Sequence, residues 1–309
     1  MKYKILFSVL VILFACLLMS GTASARNIYT FDDLMAIHED LNGNHTLMRN
    51  ITFTQNNSDD FYPIGYFLDP FTGTFNGNGY TISGVHYSDQ ATPEIGFFGY
   101  TDGANISNLT LKNSNMRGNL YTGGLIGRAD NTTITNCSAL NADISGEAYV
   151  GGLVGIMWNS SAERCYTTNE VSGNKDLVGG FVGLLTHNSN VNDSYATGSV
   201  NGEKHVGGFA GLAEDSQIFR CYTTSPVGFD RFAGGINRTN IVSSFSSQAG
   251  NNLTGLTYWV TTDNDVRNAT RNWNISEGAN SRNIWYTYSS FLTDYHNYSG
   301  VMCSQYRPR

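Results

Sequence analysis

A five-residue pattern, Gly-Gly-apolar-apolar-Gly, recurs along the middle of the chain with a constant period of about 28 residues. The four full copies are residues 123–127, 151–155, 179–183 and 207–211. A degenerate copy at 95–99 stands one period before the first, and a Gly-Gly doublet at 234–235 begins one position short of a full period after the start of the last. Such a constant period predicts one supersecondary unit per repeat, which buries its apolar residues only by stacking on its neighbours.

The composition of the repeat indicates that each unit consists of strands. Its glycines and its scattered Asn, Ser and Thr leave no window of about ten residues with apolar side chains at helical spacing. After each cassette, small residues alternate with larger ones, as in Cys165, Thr167, Asn169 and Val171. This period of two predicts strands whose small side faces a narrow interior. Stacked coils of this kind give an all-β fold, a right-handed parallel β-helix with about 28 residues per coil.

The first 25 residues have the pattern of a secretory signal peptide. Lys2 and Lys4 precede an apolar run from Ile5 to Met19, and the small residues 23–25 supply a cleavage site. The remaining chain has 16 basic and 25 acidic residues, a net charge of −9, which argues against nucleic acid as a partner. No later apolar run reaches ~18 residues, so we expect no transmembrane segment after cleavage and a secreted, extracellular or cell-surface protein.

Fourteen Asn-x-Ser/Thr sequons suit a secreted chain that meets a glycosylation system. A chain rich in Asn, Ser and Thr also produces such triplets by chance. Asn is moreover favoured in β-helix turns, because it tolerates left-handed backbone conformations and can stack along the axis. The sequence leaves both explanations open. The glycosylation candidates are Asn44, Asn105, Asn131, Asn159, Asn192, Asn252 and Asn297.

Four cysteines remain after removal of the signal peptide. Cys137 and Cys165 are one period apart and Cys165 and Cys221 are two periods apart, so these three occupy one inward column, in which serine takes the equivalent place in other coils. In-register parallel strands point such side chains the same way, which disfavours the torsion of a disulfide. We expect buried thiols rather than a Cys137–Cys165 bridge, while Cys303 stands alone in the tail. The lack of a Cys-x-x-Cys or His pair argues against a metal site.

Several motifs in a fixed order resemble the GLUG-motif repeat. Gly-Gly-Leu-Val-Gly at 151–155 follows Tyr149-Val150 and precedes a Cys-Tyr-Thr-Thr segment and a Val-x-Gly triplet. Residues 62–65 and 71–82 resemble the lead-in that precedes such repeats in many bacterial and archaeal surface proteins. The resemblance covers residues 28–247 and implies a right-handed β-helix in a secreted, adhesin-like protein.

The resemblance also raises the question of a zinc peptidase domain, which GLUG repeats flank in some bacteria. Residues 38–42 read His-Glu-Asp-Leu-Asn and end in Asn, where the zinc motif His-Glu-x-x-His needs its second His. We therefore expect neither this peptidase nor any cofactor.

Segments on both sides of the repeats are predicted to cover the ends of the coil stack. Residues 29–40 have the pattern of a short amphipathic helix, with Thr30 as N-cap and with Phe31, Leu34 and Ile37 at helical spacing. An uncovered end would expose unpaired backbone and invite end-to-end addition. The predicted division is a signal peptide at 1–25, a cap helix and first strand at 26–49, the β-helix at 50–247 and an aromatic-rich cap or flap at 248–309.

A polysaccharide lyase or hydrolase of the pectate-lyase type would need clustered ionisable side chains on one face of adjacent coils. Asp102 and Asp130 are the best candidates, because they are one period apart and stack in the turn after the cassette. The column continues with Trp158, then Thr186 or His187, and then Glu214 or Asp215. His187 is the one basic residue that we expect near the acidic pair. The column is either a solvated turn, which could hold a cation loosely, or a catalytic dyad. We expect the solvated turn and hence no enzyme.

Another column alternates in charge along the stack. Counted back four places from each Gly doublet, it contains Glu147, Lys175, Glu203 and Asp230, with Arg231 beside the last. Opposite charges on adjacent strands mainly disfavour register slips. The column is therefore predicted to align the coils rather than to bind a ligand.

An outward column of aromatic residues supplies the candidates for ligand binding. Tyr166, Tyr195 and Tyr222, continued by Phe245, are expected on the surface of consecutive coils that lie ~4.8 Å apart. Rings exposed in this way can stack on sugars or on another protein chain. Packing of the aromatic tail over the rings is the competing interpretation, and we place it ahead of ligand binding.

Taken together, the sequence predicts a secreted, cell-surface or extracellular interaction protein, adhesin-like by resemblance, whose β-helix presents a surface to a glycan or an extracellular protein. Two alternatives come from other classes. A polysaccharide-degrading enzyme predicts a groove with clustered ionisable residues from adjacent coils. A self-assembling structural subunit predicts self-association through uncapped β-helix ends.

Overall fold

The computed structural model describes residues 25–54, 59–225, 232–242, 244–246 and 257–258, and they form a parallel β-helix. Strands of successive coils pair into four sheets, which we name A to D and which run along the helix axis. Within the described strands, the last pair of sheet B is antiparallel and the other pairs are parallel. The predicted all-β solenoid is confirmed.

The strands are numbered in chain order and grouped here by sheet. Sheet A contains β1 (Ala25–Ile28), β2 (Asn44–Leu47), β4 (Thr74–Asn76), β9 (Asn105–Ser107), β14 (Thr133–Thr135), β18 (Ser161–Glu163), β22 (Asn190–Asn192), β27 (Gln217–Phe219) and β30 (Asn240–Val242). Sheet B contains β3 (Ile51–Thr52), β5 (Thr81–Ser83), β10 (Thr110–Lys112), β15 (Ser138–Leu140), β19 (Tyr166–Thr167), β23 (Tyr195–Ala196), β28 (Tyr222–Thr223), β31 (Phe245–Ser246) and β32 (Thr257–Tyr258). Sheet C contains β8 (Phe98–Asp102), β13 (Ile126–Asp130), β17 (Val154–Trp158), β21 (Val182–Thr186), β26 (Ala210–Glu214) and β29 (Ala233–Asn237). Sheet D contains β6 (His86–Ser88), β7 (Glu94–Ile95), β11 (Asn115–Arg117), β12 (Tyr121–Gly123), β16 (Asp143–Gly151), β20 (Glu170–Gly179), β24 (Val200–Asn201) and β25 (Lys204–Gly207).

In the middle of the stack, paired strands are one sequence period apart. At the C-terminal end, the separation between paired residues is shorter than the period. Ile126 pairs with Val154, one full period later, whereas Ala210 pairs with Ala233, before a full period has passed. Gly234 therefore lies beside Gly211, the last glycine of a cassette, and not beside a Gly-Gly doublet. The interpretation of residues 234–235 as a further cassette doublet is wrong, because the last described coil is shorter than the period.

Close approach between coils explains the glycines of the cassette. A Cβ atom on Gly152 would overlap the carbonyl oxygen of Gly180, which is the equivalent residue of the next coil. The chain passes here from sheet D to sheet C, and the apolar residue after the doublet enters the core, as Leu153 and Phe181 do. The glycines thus allow a tight corner with a buried side chain directly behind it.

One continuous apolar core fills the coils. Phe181, Phe209 and Phe232 stack face to face inside it with ring centroids 4.8 Å apart, the spacing of neighbouring strands. Each ring contacts the ring of the next coil, so no coil buries its phenyl face alone. The C-terminal coils therefore depend on one another for stability.

Asparagines with left-handed backbone conformations line one corner between sheets A and B, as their turn preference predicts. Asn108 and Asn136 have φ angles of 55° and 53°. The side-chain amide of Asn136 donates to Oδ1 of Asn108 over 2.9 Å, and that of Asn108 donates to Oδ1 of Asn76 over 3.0 Å. This amide ladder ties three successive coils together.

The N-terminal end is covered as predicted. Helix α1 (Phe31–Met35) begins with a capping box, in which the backbone N–H of Asp33 donates to Thr30 Oγ1 and the N–H of Thr30 donates to the Asp33 carboxylate. A 3₁₀ turn (Ala36–Glu39) follows, and Leu34 and Ile37 are buried in the core. At the other end, β32 pairs antiparallel with β31 and covers its free edge.

Candidate binding surfaces

The three cysteines of the described coils form the predicted inward ladder, and all three thiols are free. The backbone N–H of Cys137 donates to Sγ of Cys165 over 3.5 Å, and the N–H of Cys165 donates to Oγ of Ser194 over 3.1 Å. Burial raises the pKa of the Cys137 and Cys221 thiols well above their ordinary value. Cys137 and Cys221 are therefore protonated at neutral pH. The buried ladder is structural, since a nucleophilic cysteine needs an accessible thiolate. Cys303 lies outside the described residues.

The tyrosine column is in the predicted register but is not displayed to solvent. Ring centroids of Tyr166 and Tyr195 are 4.9 Å apart, and those of Tyr195 and Tyr222 are 4.8 Å apart. Tyr195 is 2% exposed and Tyr222 8%, whereas Tyr166, whose other neighbour is Ser138, is half-buried. The predicted surface display is wrong for the two buried tyrosines, because Tyr195 is held between two rings. The side chain of Phe245 lies outside the described residues.

The column of alternating charge contains one of the expected ion pairs. Lys175 Nζ donates to the Glu147 carboxylate on the adjacent coil, and both side chains are exposed enough for solvent to screen the pair. Asp230 and Arg231 lie outside the described residues. The Lys175–Glu147 contact aligns coils, as predicted for the column.

Asp102 and Asp130 stack in register on β8 and β13, as predicted, but their surroundings differ. Asp130 is buried, and Arg128 donates to both of its carboxylate oxygens, over 3.0 and 2.7 Å. The hydroxyl of Tyr100 donates to Oδ2 of Asp130 over 2.9 Å. The expectation that His187 is the one basic residue near the acidic pair is wrong, since Arg128 lies two positions before Asp130 on the same face of its strand.

The next residue of this column after Asp130 is aromatic. Trp158 pairs in register with Asp130, and its ring stacks on His187 with centroids 3.3 Å apart and planes 16° apart. Nδ1 of His187 lies 2.9 Å from Oγ1 of Thr186. Within the described ranges, no group of three or more His, Cys, Asp or Glu side chains is arranged to hold a metal ion. At the Asp102–Asp130 pair, the Arg128 guanidinium already supplies the positive charge that a cation would provide.

Three further ionisable side chains lie around the Arg128–Asp130 ion pair, and we name the five together the Tyr100 cluster: Glu94, Tyr100, Tyr121, Arg128 and Asp130. Burial is the main cause that raises the pKa of Glu94, and it also raises the pKa of Tyr121. Burial and the hydrogen bond to Asp130 raise the pKa of Tyr100 to about 12. The hydrogen bonds to Asp130 raise the pKa of Arg128. At neutral pH the cluster therefore holds two phenol donors beside a fixed guanidinium–carboxylate pair.

A short hairpin with exposed apolar residues lies against Tyr100. Tyr66 and Asp69 exchange two backbone hydrogen bonds, of 3.1 and 3.0 Å, so Phe67 and Leu68 form the tip of the turn. Tyr66 is 52% exposed, Phe67 57% and Leu68 81%, and we name these three residues the aromatic tip. The Phe67 ring still packs on Tyr100, with centroids 6.0 Å apart and planes 20° apart. Adjacent exposed apolar side chains of this size are typical of an interaction surface.

The sequence contains signals for the Tyr100 cluster and for the aromatic tip, but these signals do not recur with the 28-residue period. Arg128 and Asp130 are separated by one residue directly after the cassette, which places both side chains on one face of a strand. Arg128 and Asp130 are not one period apart, so the period alone does not relate them to each other. Residues 66–68 read Tyr-Phe-Leu and belong to no repeat, and apolar residues in a predicted irregular segment indicate a surface contact only once their exposure is known.

The predicted glycosylation sites in the described residues are all at least partly accessible. Asn44, Asn105, Asn131 and Asn159 are exposed, and Asn192 is half-buried. The amide of Asn159 donates to Asn131 over 2.7 Å, and that of Asn131 donates to Asp102 over 2.8 Å. Asn131 and Asn159 thus already serve as turn ladders. Asn252, Asn297 and the predicted signal peptide up to residue 24 lie outside the described residues.

No helix within the part of the chain that the structure describes combines the length and the apolar composition needed to cross a membrane.

Comparison with known proteins confirms the GLUG resemblance. The family model of the GLUG motif matches residues 118–145 and 177–201. Halomucin of Haloquadratum walsbyi is 35% identical over 105 residues, a stretch that covers 31% of this chain and 1% of halomucin. The chain therefore corresponds to a small part of that relative's length.

A solved structure shares the fold at low sequence identity. The crystal structure of a candidate immunoglobulin A1 protease from Bacteroides ovatus superimposes with a TM-score of 0.57 and 16% identity, over 79% of this chain and 82% of that chain. A structure described as IgA1 protease gives a TM-score of 0.45 and 19% identity, over 75% of this chain and 22% of that chain. The first likeness supports the β-helix architecture and carries no information on activity.

Proposed function

We propose that this chain is a secreted or cell-surface, adhesin-like interaction protein, whose β-helix presents a binding surface to an extracellular ligand. The observation that carries the proposal is the aromatic tip, three exposed apolar side chains of which Phe67 packs on Tyr100. The aromatic tip lies outside the sequence repeats, and its exposed side chains are not part of the core that the coils share.

The packed side chains below the aromatic tip favour a role in ligand recognition over that of an incidental surface loop. Tyr100 packs under Phe67, and the guanidinium carbon of Arg128 lies 5.0 Å from the centre of the Tyr100 ring. Arg128 is in turn fixed by its two hydrogen bonds to Asp130. Because these side chains are already held in place, they lose little conformational entropy on binding. Such preorganisation increases the affinity of a small surface.

The same hydrogen bonds favour binding over catalysis. Both carboxylate oxygens of Asp130 are occupied by Arg128, and one also accepts from Tyr100. A general base needs a free oxygen within reach of the proton that it abstracts. The cluster therefore suits a role without bond cleavage, and release of reducing ends from polysaccharides would count against the proposal.

The extracellular setting is supported by the chain's own predicted signal peptide, residues 1–25, and by its likeness to halomucin, whose name describes a mucin. Glycosylation of the sequons belongs to the same proposal. Expression in a secreting host with a C-terminal tag tests both, by the location of the tag and the mass of the product. Retention of the chain inside cells would contradict an extracellular role.

The binding surface is tested by exposing the secreted chain to a glycan array and to extracellular matrix proteins. Substitution of Phe67→Ala together with Leu68→Ser should weaken retention about 10-fold or more, because residues at the centre of an interface carry most of the binding energy. Tyr29→Ala, which removes another exposed aromatic ring, is the matched control and should bind like the parent. Equal binding by the double variant would remove the aromatic tip from the proposal.

A further inference from the structure

The outer wall of sheet D carries an open cleft of about 310 Å³ that shares no residue with the aromatic tip or the Tyr100 cluster. It crosses four coils, since Ser88, Arg117, Ser145 and Ser172 are successive register partners and Gln90 closes the first of them. Strands ~4.8 Å apart make such a cleft ~14 Å long. The side chains that line it are Gln90, Arg117, Ser145, Glu147, Ser172 and Asn174.

Glycines shape the floor of the cleft. Gly118 and Gly146 line it, and a Cβ atom on Gly146 would lie 2.9 Å from Oγ1 of Thr122 and 3.1 Å from Cγ2 of Val150. At Gly146 the backbone therefore lies close to the side chains of Thr122 and Val150, and the outer surface is recessed there. The pairing of β16 with β20 also shifts its register between Gly146 and Ala148. This recess is part of the repeat. Gly118 and Gly146 each end a recurring triplet, which consists of an apolar residue, any residue and a glycine.

The middle position of that triplet projects into the cleft and differs between coils. It is Arg117 in one coil, Ser145 in the next and Ser172 in the one after. Register pairing holds these three side chains side by side. The repeat therefore supplies one variable polar side chain per coil along one groove.

The charges in the cleft leave one cation available. Nε of Arg117 donates to Oγ of Ser145 over 3.3 Å, which fixes the direction of the guanidinium group. No carboxylate of the described residues forms an ion pair with Arg117, whereas Glu147 is paired with Lys175. A guanidinium group with free terminal N–H groups prefers a planar carboxylate.

The remaining lining suits a ligand rich in hydroxyl groups. Gln90, Asn174 and Ser172 offer amide and hydroxyl donors and acceptors, and the lining contains no aliphatic or aromatic side chain. An apolar peptide side chain would find no complementary pocket there. A sugar ring with one acidic group matches both the neutral polar wall and the single free cation.

We propose that this cleft binds an acidic oligosaccharide, with the sugar carboxylate on Arg117 and neighbouring hydroxyl groups on Ser145, Ser172 and Asn174. The proposal rests on the extracellular role proposed above, because such glycans are met outside the cell. It assigns the acidic glycan to the repeat surface, as a second site separate from the ligand of the aromatic tip. GLUG coils that carry a different residue at the triplet's middle position would then select a different sugar.

Calorimetric titration of the secreted chain with trigalacturonate tests the proposal, with the fully methyl-esterified trisaccharide as a neutral partner of the same shape and sialyllactose as a second acidic ligand. We expect binding of trigalacturonate, sialyllactose or both, and at least about 10-fold weaker binding of the ester, since a charge-assisted contact is lost. Arg117→Ala should weaken acidic binding about 10- to 100-fold, and Arg117→Lys should weaken it less.

Arg49→Ala is the matched control, because Arg49 is an exposed arginine that does not line the cleft. It removes the same charge and should leave binding unchanged. No binding of either acidic ligand, equal binding of the ester, or equal loss with Arg49→Ala would each overturn the proposal. Failure here is distinguishable from failure of the proposed extracellular function, which is read from the location of the chain and from the Phe67→Ala, Leu68→Ser variant.

Discussion

The interior of the coil stack and its outer wall are made by the same repeat but use it differently. Inside, one position holds one kind of side chain in coil after coil, as Phe181, Phe209 and Phe232 do. On the outer wall of sheet C, register partners differ, since Arg128 has Tyr100 on one side and Ile156 on the other. Identical rings stack well at the ~4.8 Å strand spacing, whereas a solvated side chain is free to vary. Residues on the inner face of the repeat thus serve folding, whereas residues on its outer face are available for recognition.

The largest effect is expected from the interior. Phe209→Ala removes the middle ring of the phenyl stack and leaves a cavity in contact with two coils. It should lower the free energy of unfolding by about 3–5 kcal/mol. Urea denaturation followed by circular dichroism measures the loss. A change smaller than about 1 kcal/mol would indicate that the coils do not share this core.

The next effect tests the corners of the coils. Gly152→Ala introduces a Cβ atom where the Gly180 carbonyl oxygen lies, so the two coils must move apart. We expect a loss of about 1–3 kcal/mol in the same denaturation experiment. Thr133→Ala on the exposed surface of sheet A is the control, with a change within about 0.5 kcal/mol. Unchanged stability of the glycine variant would contradict the close approach of successive cassettes.

The smallest effect belongs to the outer wall, and it has the opposite sign. Burial raises the pKa of Glu94 above the value of an unfolded chain, so the charged carboxylate lowers stability once the pH exceeds that value, about 4.3. Glu94→Gln should therefore raise the unfolding midpoint at pH 7 and leave it unchanged near pH 3.5, where the acid is already neutral. The exposed Glu170→Gln should show no such difference. Destabilisation of Glu94→Gln at pH 7 would mean that the charge of Glu94 stabilises the Tyr100 cluster.

The interior can be predicted from the sequence because every coil repeats the same geometric requirement. The glycine corners, the inward thiols and the capping helix all follow from local spacing and side-chain size. Periodicity is reliable only while it lasts, and the pairing of Ala210 with Ala233 ends it for the last described coil. An assignment of residues 234–235 by period therefore places them in the wrong column.

The outer wall is harder to predict because alternation gives the side of a strand but not what covers it. Tyr195 is outward in its strand and is still 2% exposed. The Tyr100 cluster joins residues from four strands whose contacts depend on side-chain reach rather than period. The aromatic tip comes from a segment before the first cassette, where no repeat fixes its position.

The division between interior and outer wall is tested most directly by measuring unfolding midpoint and ligand retention on the same two variants. Phe209→Ala should lower the midpoint and keep the retained ligand at temperatures below unfolding. Phe67→Ala with Leu68→Ser should keep the midpoint and lose the ligand about 10-fold or more. The reverse result, with ligand lost through Phe209→Ala in a folded chain and retained without the aromatic tip, would contradict the account.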